Sequence, residues 1–371
     1  MTQRRRKRRN RAARRLKIWI GILSVVLVTL VAIALLPREP EDTLQTDPPA
    51  QSDPDTHPTE TQPQTQPTVP STEPSEPPLS GWVEEHGNTY YYDNGIPLTG
   101  VQTIGEKRYC FDESGALLPE GWQEVAGSRY YLNSDGTAFT GWLEQEDGLY
   151  YLRTDGTMAR GEVEIDGIRY YFTSAGRHIY LVNPWNYVPE GYEPELIELT
   201  SRYAATGTRV EKVDSSCYDA LIRMMDDCKA AGHSVCVVSS YRTHEYQEYL
   251  FERQVTKQMA ALNCTREEAE IVAATISAIP GTSEHQLGLA VDIIDTQLWK
   301  LVEEQEDLAG QQWLMEHCWE YGFILRYPKD KTPQTGIIYE PWHYRYVGTE
   351  VAAELHESGL TLEEYLEALT Q

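Results

Sequence analysis

Three hydrophobic regimes divide the chain. Ile18 to Leu36 is an uncharged apolar run of 19 residues. As a helix rising 1.5 Å per residue it would be about 29 Å long, one bilayer hydrocarbon core. Between residues 81 and 180 short apolar stretches return about every 20 residues, starting at Gly81, Gly100, Gly121, Gly141 and Gly161. From about Leu181 that period disappears, and helical spacing alternates with short runs rich in Val and Ile.

Each repeat reads as a short strand, a Gly turn, an aromatic pair and a second turn such as Ser134-Asp135-Gly136 or Thr154-Asp155-Gly156. Asp-Gly between apolar strands signals a tight hairpin. One hairpin cannot bury its own apolar face, so the units must stack into a solenoid. Trp82, Trp122 and Trp142, with pairs such as Tyr130-Tyr131 and Tyr150-Tyr151, should pack between units.

Beyond Leu181 the pattern predicts a helix over roughly 215–231 ended by Gly232, a strand at Ser234–Ser240 and a helix from His244 to about Leu262. Thr265 and Glu268 form a capping box for a helix to about Ser277, stopped by Pro280-Gly281. A buried strand follows at Leu289–Ile294. Then come a helix at about 306–321 closed by Gly322, a hairpin within Ile337–Val347, and a terminal helix opened by Thr361 and Glu364. This is an α+β domain, residues 181–371.

Charge assigns topology. Residues 1–17 carry ten Lys/Arg and no acid, so of the overall −25 the remainder holds −35. So acidic a body excludes non-specific nucleic-acid binding, which needs Lys/Arg to neutralise phosphates. The basic segment 1–17 should stay in the cytoplasm, 18–36 should be a transmembrane anchor, and the rest should lie outside. A secretory signal peptide cleaved near Ala32-Ile33-Ala34 is the alternative. Residues 37–80 hold 12 of the 21 prolines amid Thr, Ser, Gln and acids, which predicts a disordered linker. At ~3.1 Å per residue its reach is on the order of 130 Å. None of the six cysteines forms C-x-x-C. An extracellular location permits disulfides, with connectivity open and at least one thiol free or buried.

Three segments carry the chemistry: SSYRTHEYQ with Arg242 and Gln247, GTSEHQLGLAVDI with Ser283, His285 and Asp292, and YEPWHYRYVG with Glu340 and His343. Two imidazoles, a carboxylate and a separate Glu are the parts of a hydrolytic zinc site with a base outside the ligand set. Helical H-E-x-x-H is absent. Pro341 and the aromatic and β-branched residues around it imply strand and turn instead, with Gly288 bending the chain so that His285 and Asp292 reach one ion.

These segments resemble the VanY-type zinc D-alanyl-D-alanine carboxypeptidases of the hedgehog/D-Ala-D-Ala peptidase fold, over about 183–348. S-x-H-x-x-G-x-A-x-D and E-P-W-H occur complete and in order. The resemblance implies Zn²⁺ held by His285, Asp292 and His343, Glu340 as catalytic base, and Arg242 on the substrate's terminal carboxylate. Gln247 and Ser283 would lie near the substrate, and Gly322–Pro328 would serve as scaffold and cleft edge. Residues 81–180 resemble cell-wall-binding repeats of the choline- and glucan-binding type. Where choline binders carry a Trp before the Tyr pair, this chain has Thr89, Arg108, Arg129, Leu149 and Arg169. A glycan or other wall polymer therefore fits better than choline.

The expected whole is a membrane-anchored extracellular carboxypeptidase acting on peptidoglycan stem peptides, with its repeats on a wall polymer. An L,D-carboxypeptidase acting on tetrapeptide stems would use the same ligands. A non-catalytic wall-binding protein would not need the base.

Overall fold

The structure, a computed structural model, describes residues 80–205 and 210–370. The expected segments 1–17 and 18–36, and the linker 37–80 apart from Ser80, lie outside the described residues. Among the described residues no helix is long and apolar enough to cross a membrane.

Five antiparallel hairpins begin at the five expected glycines: Gly81–Glu85, Gly100–Ile104, Gly121–Val125, Gly141–Gln145 and Gly161–Ile165 are the first strands. Their tight connections are the first turns, such as Ala126-Gly127, where both residues have positive φ. The Ser-Asp-Gly turns do a different job from the hairpin closure expected of them. They fold the chain back after the second strand, giving the bridges Leu132↔Ala138 and Tyr109↔Thr137, the latter between units. Asp135 Oδ1 accepts from Thr137 N at 3.0 Å to hold that turn. Each Trp reaches into the next unit: Trp82 to Tyr109 at 4.8 Å, Trp122 to Tyr150 at 5.0 Å and Trp142 to Tyr170 at 4.9 Å between ring centroids, all edge-on.

The domain after the repeats is built on an antiparallel sheet whose spatial order is Val235–Ser239, Ala290–Asp295, His343–Tyr346, Phe323–Leu325. Helix Ser215–Ala230 covers one face, with Leu221, Met224 and Met225 in the main core. Helix His244–Leu262 ends where Asn263 turns left-handed, and the capping box at Thr265 opens Arg266–Ala273, shorter than expected. Two expectations are corrected. The single helix at 306–321 is three pieces: Leu308 is extended, and Asp295 Oδ2, at the end of the strand Ala290–Asp295, accepts from Gly310 N at 3.0 Å to start the second piece, while the last turn, Cys318–Tyr321, is a tighter 3₁₀ turn. No hairpin forms within Ile337–Val347: Glu340 to His343 is a tight turn around Pro341, and His343–Tyr346 pairs with the distant Phe323–Leu325. Pro341 has no N–H to give a ladder. The six thiols are all free.

The last repeat is packed against the C-terminal helices Thr349–Ser358 and Leu362–Ala368. Tyr171, Ile179 and Leu181 share one core with Val351, Leu355, Leu362 and Tyr365. Ser174 N donates to Tyr365 Oη at 3.1 Å, and its hydroxyl donates to Glu354 at 2.6 Å. His178 sits beside this joint among Trp142, Tyr170, Phe172 and Tyr180. Burial holds its pKa down at about 4. The folded state thus favours the neutral ring. Its contribution is full above the unfolded value near 6.5 and is lost as pH falls from there toward 4, by roughly 1.4 kcal/mol per unit at most. Calorimetry between pH 7 and 4.5 should show a shallower acid loss for His178→Phe than for the parent. Equal slopes would exclude this cause.

Candidate metal centre and cleft

Sheet register creates the centre. Asp292 is the cross-strand partner of Ser239 on one side and His343 on the other, so all three side chains share a face. His285 arrives from the turn Glu284–Leu287 just before that strand. The turn closes at Gly288 with φ 75°, and a Cβ there would meet Asp214 N at 3.0 Å. The bend attributed to this glycine is therefore one that only a residue lacking Cβ makes without strain.

His285 Nε2 lies 3.3 Å and His343 Nδ1 3.1 Å from Asp292 Oδ1. One ligand atom from each of the three residues falls within 4.8 Å of the others, and all three are buried. His285 Nδ1 is 2.8 Å from the Ser240 carbonyl oxygen. A carbonyl can only accept, so Nδ1 carries the hydrogen and the Nε2 lone pair faces Asp292. Two imidazole nitrogens and a carboxylate oxygen, converging in a buried pocket, suit zinc. Glu340 stands at the edge, its Oε2 3.6 Å from His343 Nδ1. It enters from the Pro341 turn, as the sequence implied.

Arg242 follows the Val235–Ser239 strand. Its Nη2 donates to Asp292 Oδ2 at 2.6 Å and to Ser239 Oγ at 2.8 Å. Gln247 is fully buried, donates to the Ala278 carbonyl at 2.8 Å and accepts weakly from Arg242 at 3.4 Å. It braces Arg242. Ser283 is buried, makes no capping bond to its turn and lines the cavity. Tyr327, from the run read as scaffold and cleft edge, packs on the His343 ring at 4.7 Å and lines the same cavity. The sequence reading passed over Ser239, Ser240 and Glu284. An acid wedged between Ser283 and His285 in an otherwise buried stretch was the available signal for the last of these.

Electrostatics divide the groups. Burial pushes the Glu340 carboxyl up to about 8, with the Asp292 charge adding to it. Burial and then the Arg242 charge hold His285 down at about 4. Burial acts to lower His343 too, but the carboxylates of Asp292 and Glu284 outweigh it and carry the ring up to about 9. Asp292 stays well below the ordinary range despite burial, because His285 and Arg242 adjoin it. Asp292 is thus the anionic group at neutral pH, and Glu340 is the one poised to hold a proton.

These groups open into a cavity of about 860 Å³. Arg253 and Lys257 of helix His244–Leu262 line it, as do Glu303, Glu304 and Asp307 of the turn Glu303–Asp307. In the repeats, the Arg129 guanidinium stacks 4.5 Å over Trp122. This is a cation–π contact within the chain itself.

The family described as D-alanyl-D-alanine carboxypeptidase, VanY, matches residues 210–349, and the choline-binding repeat matches residues 120–162. A D-alanyl-D-alanine carboxypeptidase of Enterococcus faecalis is 40% identical over 188 residues, covering 51% of this chain and 65% of that protein. The bifunctional D-Ala-D-Ala dipeptidase and D-Ala-D-Ala carboxypeptidase VanXYC of Enterococcus gallinarum is 38% identical over 140 residues, covering 36% of this chain and 67% of that protein. A solved vancomycin resistance D,D-pentapeptidase VanY in complex with Zn(II) is 41% identical, covering 50% of this chain and 97% of that one, with a TM-score of 0.44. The chain thus spans just under two thirds of the Enterococcus faecalis relative.

Proposed function

Because the chain belongs to the VanY family of D-alanyl-D-alanine carboxypeptidases, we propose that it is a zinc carboxypeptidase removing the C-terminal D-alanine from peptidoglycan stem peptides. The observation that carries this is the convergence of His285, Asp292 and His343, with Glu340 beside them, at one cavity. His285, Asp292 and His343 would hold the zinc, which would supply Lewis acidity for activating water near neutral pH.

As the carboxylate, Glu340 takes the proton from the attacking water and, as the acid so formed, returns it to the departing D-alanine amine; burial raises its carboxyl and so strengthens it as a base. Arg242 holds the terminal carboxylate. In a C-terminal residue that group is one Cα from the scissile nitrogen, so an arginine bound to Asp292 stands at the correct end of the peptide. Upstream, the basic and acidic linings suit a stem peptide bearing both carboxylate and amine. The apolar run Ile18–Leu36 with its basic flank supports a membrane tether, with the catalytic domain outside. The repeats support attachment to a wall polymer, which raises local substrate concentration.

Mass spectrometry of defined penta- and tetrapeptide muropeptides tests the assignment. Loss of one alanine from pentapeptide alone is expected. Cleavage of tetrapeptide alone would make the enzyme an L,D-carboxypeptidase, and cleavage of neither would leave a wall-binding protein. Arg242→Ala should lower kcat/KM on free-carboxylate peptides by about 10- to 150-fold, the loss of one charge-assisted contact of roughly 1.5–3 kcal/mol. Amidated peptides should be affected far less. Equal cleavage of amidated and free peptides by the parent would remove Arg242 from this role.

A further inference from the structure

Two enclosed polar atoms beside the centre lack hydrogen-bond partners and face each other. They are His343 Nε2 and Glu284 Oε2, 3.8 Å apart. Unsatisfied buried polar atoms are costly, and here one small approach satisfies both. Glu284 is enclosed at the start of the turn that carries His285. Its other oxygen, Oε1, accepts from Arg326 Nε at 2.9 Å and lies 2.9 Å from Arg345 Nη1. Arg326 Nη1 in turn donates to Glu363 at 2.9 Å. Two acids and two arginines balance, so the charge of Glu284 is compensated through Oε1, and Oε2 remains for His343.

An imidazole binds a metal through the nitrogen without hydrogen, and the acceptor at its other nitrogen decides which one that is. For His285 the acceptor is the Ser240 carbonyl, at Nδ1. We propose that Glu284 performs this office for His343 as a positioning residue: Oε2 accepts from Nε2–H and so presents Nδ1 to the metal, on the side where Asp292 lies 3.1 Å away. The two histidines would therefore ligate through opposite nitrogens. Glu363 belongs to the helix Leu362–Ala368, outside the span matched to the carboxypeptidase family, so the support of His343 extends beyond that span. The inference rests on the zinc reading above.

The test uses the full chain in detergent, with zinc affinity from chelator competition for the parent and Glu284→Gln. Long-range ¹H–¹⁵N spectra of the zinc-loaded parent, selectively labelled at histidine, form the second arm. A glutamine offers Nε2–H an amide hydrogen or a weaker acceptor, so zinc affinity should fall about 10- to 100-fold. The parent spectrum should show the His343 hydrogen on Nε2, with Nδ1 carrying the metal. A folded Glu284→Gln protein with unchanged zinc affinity, or a parent His343 bound through Nε2, overturns the proposal and leaves the zinc centre standing. If Glu284→Gln does not fold, the parent spectrum alone decides. A parent that binds no zinc overturns both readings.

Discussion

Glu340→Gln is expected to keep zinc and lose hydrolysis, with D-alanine release falling about 10²- to 10⁴-fold. The glutamine has the same shape, but its amide takes no proton from water. Glu340 lies outside the three-residue ligand group, so metal content should match the parent. Fold stability should also hold in the metal-free protein. Burial disfavours the charged carboxylate at this position in the metal-free protein, so exchanging it for a neutral amide adds no desolvation cost. Elemental analysis of bound zinc and D-alanine assay on the same preparation check this. Retained turnover would remove Glu340 as the base, whereas lost zinc would recast it as a ligand.

Asp292→Asn should have the opposite signature, with zinc lost and activity lost along with it. Asp292 is the anion on which His285, His343 and Arg242 all converge. An amide there withdraws one ligand and leaves the partly buried Arg242 without its counter-charge. Changes to supporting residues alone cost 10- to 100-fold in metal affinity, so loss of a ligand should exceed roughly 100-fold. Chelator competition measures it, and circular dichroism separates metal loss from unfolding. Undiminished zinc binding would mean that the ion is held elsewhere.

Much of the architecture was legible because it is local. The five repeat starts were readable from glycines whose positive φ no side chain tolerates well, and from aromatic pairs at a constant period. Two capping boxes were readable as Thr-x-x-Glu, since both partners lie within one turn. The motifs carrying His285, Asp292, Glu340 and His343 were readable as a donor set. The hairpin expected within Ile337–Val347 failed because strand pairing is not local. Pro341 disfavours a ladder there, and Phe323–Leu325 offers the apolar edge. The broken helix at 306–321 failed likewise, its start being set by Asp295 from another element.

The amino-acid sequence by itself determined the repeat period, the caps and the inventory of ligand, base and anion-binding side chains. Each of these depends on backbone conformation or residue chemistry over a few positions. Only the tertiary structure decided that Asp292 faces His343 across two strands, that Glu284 lies enclosed behind that histidine, and that the last repeat rests on the terminal helices. Such contacts join residues far apart in the chain. They are selected by which apolar faces and compensated charges can be buried together, a property of the assembled core that no short window contains.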